Sequence, residues 1–482
     1  MQRLTGLDAT FLYLETRTNH MHVASTCIFD PSTVPGGYTF EKVKQLVDER
    51  LPLLPPFRRR LVNIPFEIHH PLWVEDPDFD LNYHVRRAAL PAPGGDHELA
   101  EFAADVMSRP LDRTRPLWEM WVVEGLENGM IAIVTKTHHA AIDGVSGAEL
   151  TVNLLDLQPE PAPVPEELKA WQPDRIPSDP ELFAYALNSL VRQPLRLVKT
   201  VRRTASIALR LRRRNRQPGV NPPPAPFSAP RTSLNQAISP HRRFAFTQVH
   251  LDDVKLVKNA LGGTVNDVVL AMCSSALRQY LADNGEQPDK ALIGMVPVSV
   301  RSEEQKGAMG NRVSSMLVNL ASDIADPVER LHAISGGTQH AKDQENAIGA
   351  EFLTDWAEFA APAVAARAAR LYSSMRIADR HSPIFNVTIS NVPGPNFPLY
   401  SAGARMVAMY PMGPIADGGA LNITVMSYLG SMFFGLVADR ELVPDVDNIA
   451  HYLNDALEEL KKAASASAAG AKPAARNAKR GS

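Results

Sequence analysis

Residues 130–144, Met130-Ile131-Ala132-Ile133-Val134-Thr135-Lys136-Thr137-His138-His139-Ala140-Ala141-Ile142-Asp143-Gly144, carry an apolar, strand-like run into two histidines and a glycine-containing bend. Successive side chains of a strand point to opposite faces, so Ile131, Ile133, Thr135 and Thr137 share a face with His139. Ala132, Val134 and Lys136 share the other with His138. The two imidazoles therefore diverge: one enters a substrate passage, and the other sits in the surrounding packing with a hydrogen-bond partner. A free imidazole titrates at about 6.5 and near neutral pH is largely able to accept a proton. Held at a strand end, it suits proton abstraction from a bound hydroxyl, concerted with attack on an activated acyl carbon and without a covalent enzyme intermediate. One would act as base; the other would support it. Asp143 lies beyond a bend rather than one helical turn away, and reads as a buried anchor for an arginine. His69-His70, in HHPLWVED, lacks Asp-Gly at the same offset and reads as structural.

Composition bounds the rest. The 482 residues are 45% hydrophobic and 21% charged, which describes a globular chain of two or more domains with a large core. A net charge of −3 gives no general affinity for polyanions, and nucleic acid is not an expected partner. Cys27 and Cys273 lie in apolar surroundings without metal or redox spacing, which fits a reducing compartment. MQRLTGLDAT has no signal-peptide core, and no uncharged apolar run reaches the roughly 20 residues a bilayer span needs. The expectation is a cytoplasmic chain, soluble or peripheral to a membrane. Two catalytic patterns fail: Gly144-Val145-Ser146-Gly147-Ala148 ends in alanine where the nucleophile elbow needs glycine. His97-Glu98-Leu99-Ala100-Glu101 lacks the second imidazole of a zinc motif, and no metal is expected.

Along the chain, residues 1–165 read as mixed strand and helix. MHVASTCIF is a strand, FEKVKQLVDERL a helix, and Glu127-Asn128-Gly129 a hairpin turn feeding the histidines. Leu150, Leu154 and Leu157 predict a helix behind the site. Residues 166–240 form a proline-rich crossover, inside which Arg192, Arg196, Lys199, Arg202, Arg203 and five further arginines up to Arg216 stand without an acidic residue. With interleaved leucines and valines, this basic stretch fits an anionic membrane or lipid-droplet surface. Residues 241–462 alternate strands and helices again. Thr264 and Asp267 form a capping box, which places Asn266 at the positive end of a helix, where an amide can bind substrate or stabilise an acyl oxyanion. KALIGMVPVSVR is a strand ending at Arg301, and FNVTISNVPGP a strand broken at Pro393-Gly394-Pro395. Residues 463–482 read as a disordered tail.

HHAAIDG resembles the HHxxxDG motif of the acyltransferase superfamily that includes chloramphenicol acetyltransferase, peptide-synthetase condensation domains and wax ester synthase/diacylglycerol acyltransferases. Four segments narrow the resemblance to the last family: Pro116-Leu117-Trp118, Asn266-Asp267 in TVNDVVLA, MVPVSVR ending at Arg301, and SNVPGP from Ser390 to Pro395. Their order matches too, and the resemblance runs from LTGLDATFLYLE to about residue 460. It implies two α/β lobes of the chloramphenicol acetyltransferase type, with a tunnel at their interface and His139 near its middle as the base, supported by His138. It implies transfer of a fatty acyl group from acyl-coenzyme A, a substrate rather than a cofactor, to diacylglycerol or a long-chain alcohol. Arg301 is the first candidate to pair with Asp143; Arg60 competes, because condensation enzymes place an N-terminal arginine there. Gly144 leaves room in the passage, for which Pro116, Leu117, Trp118, Asn391, Pro393 and Gly394 are further candidates. The alternatives are an acyltransferase acting on another acceptor, such as a polyketide hydroxyl, and a non-catalytic lipid-droplet surface protein. Oligomeric state is not legible.

Overall fold

The computed structural model describes residues 2–141, 154–164, 173–191, 202, 224–299, 313–348 and 362–470. Its strands are β1 (Gln2–Arg3), β2 (His22–Asp30), β3 (Arg59–Val62), β4 (Leu72–Glu75), β5 (Val85–Ala89), β6 (Trp118–Glu124), β7 (Ile131–His138), β8 (Arg242–His250), β9 (Ile293–Ser299), β10 (Val313–Asn319), β11 (Val387–Val392), β12 (Tyr400–Ser401), β13 (Ala404–Met412), β14 (Leu421–Tyr428) and β15 (Ser431–Asp439). The longer helices are α1 (Gly6–Leu14), α2 (Phe40–Arg50), α3 (Asp96–Ser108), α4 (Asp179–Val191), α5 (Leu251–Leu261), α6 (Val265–Asp283), α7 (Pro327–Ile348), α8 (Pro362–Ser374) and α9 (Val446–Gly470).

Two six-stranded sheets carry the two lobes. The first has the order β12-β13-β2-β7-β6-β5, and the second β10-β9-β11-β14-β15-β8. β7 runs antiparallel to both β2 and β6 in the middle of the first sheet. Its alternation holds: Ile131 and Ile133 join a core with Trp118 and Met120, while Ala132 and Val134 join one with Leu99 and Val106 of α3. The β6–β7 turn needs left-handed backbone, supplied by Asn128 at φ 59° and Gly129 at φ 68°. In the second sheet β11 is parallel to both β9 and β14. Helices α6 and α9 cover one face of that sheet, with Val268, Leu270, Leu453 and Leu457 in the core between them.

The chain does not divide between lobes where sequence places the boundary. β12 and β13, expected within the second lobe, belong to the first sheet, where β13 runs antiparallel to β2 from Arg405–Asp30 to Met412–Ala24. Without β13, β2 would present an unpaired edge of backbone donors and acceptors. The two lobes are also stitched by side chains. The Tyr428 hydroxyl accepts from Leu399 N at 2.9 Å and donates to Met406 O at 3.1 Å.

Two expected elements differ. The C-terminal helix continues through residues 463–470, expected as tail, because its alanines are strong helix formers and Ala464 packs at 1% exposure. Of the helix expected over Leu150–Leu157, Leu154 is helical and residues 155–157 are not. Asp156 instead bridges to Tyr400 and pairs with Arg50, leaving Leu157 exposed.

A Cβ at Gly435 of β15 would lie 1.8 Å from the Pro411 carbonyl oxygen of β13, so the sheets meet at a point that only glycine allows. Gly435→Ala is expected to cost about 3 kcal/mol, seen as a lowered urea midpoint. Gly336→Ala, on α7 with nothing within 4 Å of the new methyl, should instead stabilise by about 0.5–1 kcal/mol. Equal midpoints for the two variants would refute this account of the inter-lobe contact.

Candidate functional site

The site begins at the end of β7. His138 N donates to Leu117 O at 2.9 Å, His139 N to Met21 O at 2.7 Å, and Ala141 N to His138 O at 2.9 Å, so backbone from three segments fixes the turn. Helix α1 lies beside it, started by Thr5, whose hydroxyl accepts from Asp8 N at 3.1 Å. Phe11 and Glu15 are four residues apart, one helical turn, and face the turn together. Phe11 stacks on His139 with ring centroids 4.0 Å apart and an interplanar angle of 20°. Glu15 reaches His138.

The two histidines have different surroundings. His138 is fully buried; its Nδ1 accepts from Ala140 N at 3.0 Å, which leaves the ring proton on Nε2, 3.3 Å from Glu15 Oε2. The other oxygen of Glu15 lies 3.3 Å from His22 Nε2, and Arg113 Nε donates to Oε2 at 2.9 Å. Burial opposes ionisation of Glu15, but hydrogen bonds from His138 and His22, with the Arg113 charge, outweigh it and hold the carboxyl well below the usual range. Burial keeps His138 neutral despite that carboxylate. His139 is half-buried, and burial with the neighbouring His138 pushes it down to about 4. Its Nδ1 is buried without a hydrogen-bond partner among the described residues. The arrangement thus presents one neutral imidazole beside a second that is locked in orientation and tautomer.

Sequence reasoning missed Phe11, Glu15 and His22. The only signal was their place in LTGLDATFLYLE and MHV; the i, i+4 relation of Phe11 and Glu15 identifies a shared face but not what that face meets.

The remaining candidates separate. Asp143, Gly144 and Arg301 lie outside the described residues, as does the basic stretch 192–216 except Arg202. Arg60 pairs with Asp76 at 3.4 Å and Asp78 at 3.7 Å. Pro116, Leu117 and Trp118, expected along the passage, are all buried in the core. Trp118 is sandwiched between Phe57 and His84, at 4.3 and 4.6 Å, and its Nε1 donates to Phe57 O at 2.8 Å. Large flat rings bury best when both faces are covered and the N–H is satisfied. The segment acts through its backbone, by the Leu117 carbonyl that receives His138 N–H.

Asp267 is structural, accepting from Thr264 N and Oγ1 at 2.8 Å each, Thr338 Oγ1 at 2.7 Å and Ser335 Oγ at 3.2 Å, which ties the start of α6 to α7. Asn266 beside it is half-buried, and Asn391 Nδ2 donates to its Oδ1 at 3.5 Å, which turns the Asn266 N–H donors to the other side. No hydrogen bond or ring contact joins Asn266 to His139 among the described residues. Gly394 is required by packing, because a Cβ there would lie 2.1 Å from Ser427 O, and its N–H donates to Ser427 Oγ at 3.1 Å. The neighbouring Pro393 is exposed.

Comparison with known proteins shows the family. The wax ester synthase/diacylglycerol acyltransferase catalytic domain matches residues 4–269, and the WS/DGAT C-terminal domain residues 309–461. The chain belongs to this family. A putative diacylglycerol O-acyltransferase of Mycobacterium tuberculosis is 40% identical over 461 residues, covering 95% of this chain and 90% of the relative. A probable diacylglycerol O-acyltransferase of the same species is 38% identical, covering 95% and 98%. The solved wax ester synthase/diacylglycerol acyltransferase of Marinobacter aquaeolei is similar at a TM-score of 0.67 and 30% identity, covering 96% of this chain and all of that one. The trichothecene 15-O-acetyltransferase of Fusarium sporotrichioides shares the fold at a TM-score of 0.57 and 10% identity, covering 95% of each chain. The fold is therefore the expected two-lobe acyltransferase architecture that this WS/DGAT family shares with more distant acyltransferases.

Buried imidazoles make stability depend on pH. Burial pushes His20 and His84 down to about 4 and His22 to about 3, whereas in the unfolded chain each titrates near 6.5. Folded values below unfolded ones mean that the unfolded chain binds more protons between them. Their contribution is full above about pH 6.5 and is lost as pH falls toward 4. The melting temperature should fall between about pH 7 and about pH 5, and His20→Phe, which keeps a flat ring but removes one of these titrating groups, should flatten that slope. An unchanged slope in that variant would remove His20 from the explanation.

Proposed function

We propose that this protein is an acyl-coenzyme A-dependent O-acyltransferase that forms triacylglycerol from diacylglycerol, and wax esters from long-chain alcohols, with His139 as general base. The observation that carries the reading is the neutral His139 imidazole, packed on Phe11 at the end of β7, beside a His138 whose tautomer Glu15 and Ala140 fix. It is supported by relatives named as diacylglycerol O-acyltransferases across nearly the whole chain.

The acceptor hydroxyl gives its proton to His139 as its oxygen attacks the thioester carbonyl. The tetrahedral oxyanion collapses, the carbon–sulfur bond breaks, and the coenzyme A thiolate takes the proton back from His139. Acid and base are used once each, so no net proton is consumed. A base held low by burial is weaker than free imidazole but is almost wholly unprotonated at neutral pH, which favours transfer concerted with attack. The thioester brings its own activation, and alignment of two bound substrates supplies much of the remaining acceleration. In this reading Asn266 offers its amide donors to the oxyanion from the positive end of α6. Acyl-coenzyme A is consumed as a substrate, and the lipid acceptor is drawn from the cytoplasmic membrane face or a lipid-droplet surface.

With palmitoyl-coenzyme A and either diacylglycerol or hexadecanol, His139→Ala is expected to lose about 10²–10⁴-fold in kcat while keeping its circular dichroism spectrum. The acid limb of kcat/KM should fall near pH 4, where His139 titrates in the free protein, rather than at the 6.5 of an exposed imidazole. Equal thiol release by the variant and the unmutated protein would remove His139 from the mechanism.

A further inference from the structure

Helix α8 carries its apolar residues on the wrong side for an ordinary surface helix. Its inner face, Ala365 and Ala366, packs with Leu12 and Ala140 against α1 and the histidine turn. Its outer face presents Val364, Ala368 and Leu371, continued by Met375, at the i, i+4, i+7, i+11 spacing of one helical stripe. Val364 is 67% exposed, Leu371 57% and Met375 45%. A helix of a water-soluble protein normally turns charge outward and one apolar stripe inward. This one is apolar on both sides.

The stripe does not stand alone. The turn Pro65–Glu67 packs against both α8 and α4, and at its apex Phe66 is 86% exposed, with φ at 61°. On α4, Phe183 and Leu187 are one helical turn apart and also exposed. Three elements thus build one outward apolar surface, larger than scattered exposed residues would make. Charge decides what it meets. Exposed Glu67, Asp179 and Glu181 lie on the other two elements, Glu181 paired with Arg175 at 2.6 Å, whereas residues 362–375 contain exposed Arg367 and Arg370 and no acidic residue, so α8 is the basic edge of the surface. Apolar side chains flanked by arginines fit a lipid–water interface with anionic headgroups.

We infer that the outer face of α8, with Phe66 and the exposed side of α4, is the surface by which the protein docks on an anionic phospholipid layer. The inference rests on the proposed lipid acceptor for its purpose but not for its geometry. Because a helix is about 10 Å across, a lipid surface seated on the outer stripe lies one helix thickness from the turn that carries His139. Docking there brings the acceptor's source to the catalytic end of β7.

The test uses the full chain and sedimentation with vesicles of phosphatidylcholine alone or with a third of phosphatidylglycerol. Val364→Glu/Leu371→Glu should raise the lipid concentration for half-binding about tenfold or more on either vesicle, because it puts charge into the apolar stripe. Arg367→Glu/Arg370→Glu should weaken binding on the anionic vesicles alone. Both variants should retain acyl transfer to an acceptor dispersed in detergent. Wild-type binding by the stripe variant would overturn the inference. So would loss of binding confined to a variant with Arg210, Arg212, Arg213 and Arg214 changed to serine. A stripe variant that turns a dimer into a monomer in ultracentrifugation with lipid binding intact would assign the face to a second copy instead. If the unmutated protein transfers no acyl group to the dispersed acceptor, the acceptor reading fails, while sedimentation still decides the docking face.

Discussion

The histidine turn depends on a buried carboxylate. Glu15 sits where α1 ends, with its side chain almost wholly out of water, and there it meets His138, His22 and Arg113. A carboxylate in that position is tolerable only because charge-assisted hydrogen bonds replace its hydration. In return it holds two strands and a helix end in one register. His22 belongs to β2 and His138 to β7, directly paired across the sheet, so one anion pins both at the point where β7 stops. With His138 fixed, His139 has a defined direction, and Phe11 covers its ring.

A second constraint keeps the two lobes from acting as independent domains. The first sheet is completed by a strand that arrives from the far end of the chain, and β13 pairs with β2 along nearly its whole length. β2 also pairs with β7, so the C-terminal half lies two strands from the histidine turn. The close approach of Gly435 to Pro411 and the Tyr428 hydroxyl bridge then lock β14 and β15 over that strand. The geometry of the candidate site is a property of both halves together.

Much of this was legible locally. Alternation in residues 130–138 gives the central strand and the divergence of its last side chains; Asn128-Gly129 gives the turn before it; Thr264 and Asp267 give the start of α6 and explain Asp267 without any chemistry. The Trp118 segment misleads, because a motif marks residues that matter without saying whether they matter by touching substrate or by holding a backbone carbonyl in place. Here the Leu117 carbonyl does the work and the tryptophan ring is packing.

By itself the sequence determined the strand-and-turn setting of His138 and His139, the capped helix at Asn266 and the membership that the ordered motifs imply, since these rest on periodicities and spacings within a few residues. Only the tertiary structure decided that Glu15 and Phe11 serve the two histidines, that residues 404–412 complete the first sheet, and that α8 turns an apolar stripe outward. Those depend on which surfaces, more than a hundred residues apart in the chain, are brought together to bury apolar area and to replace the hydration of buried charge. No local pattern encodes such a pairing.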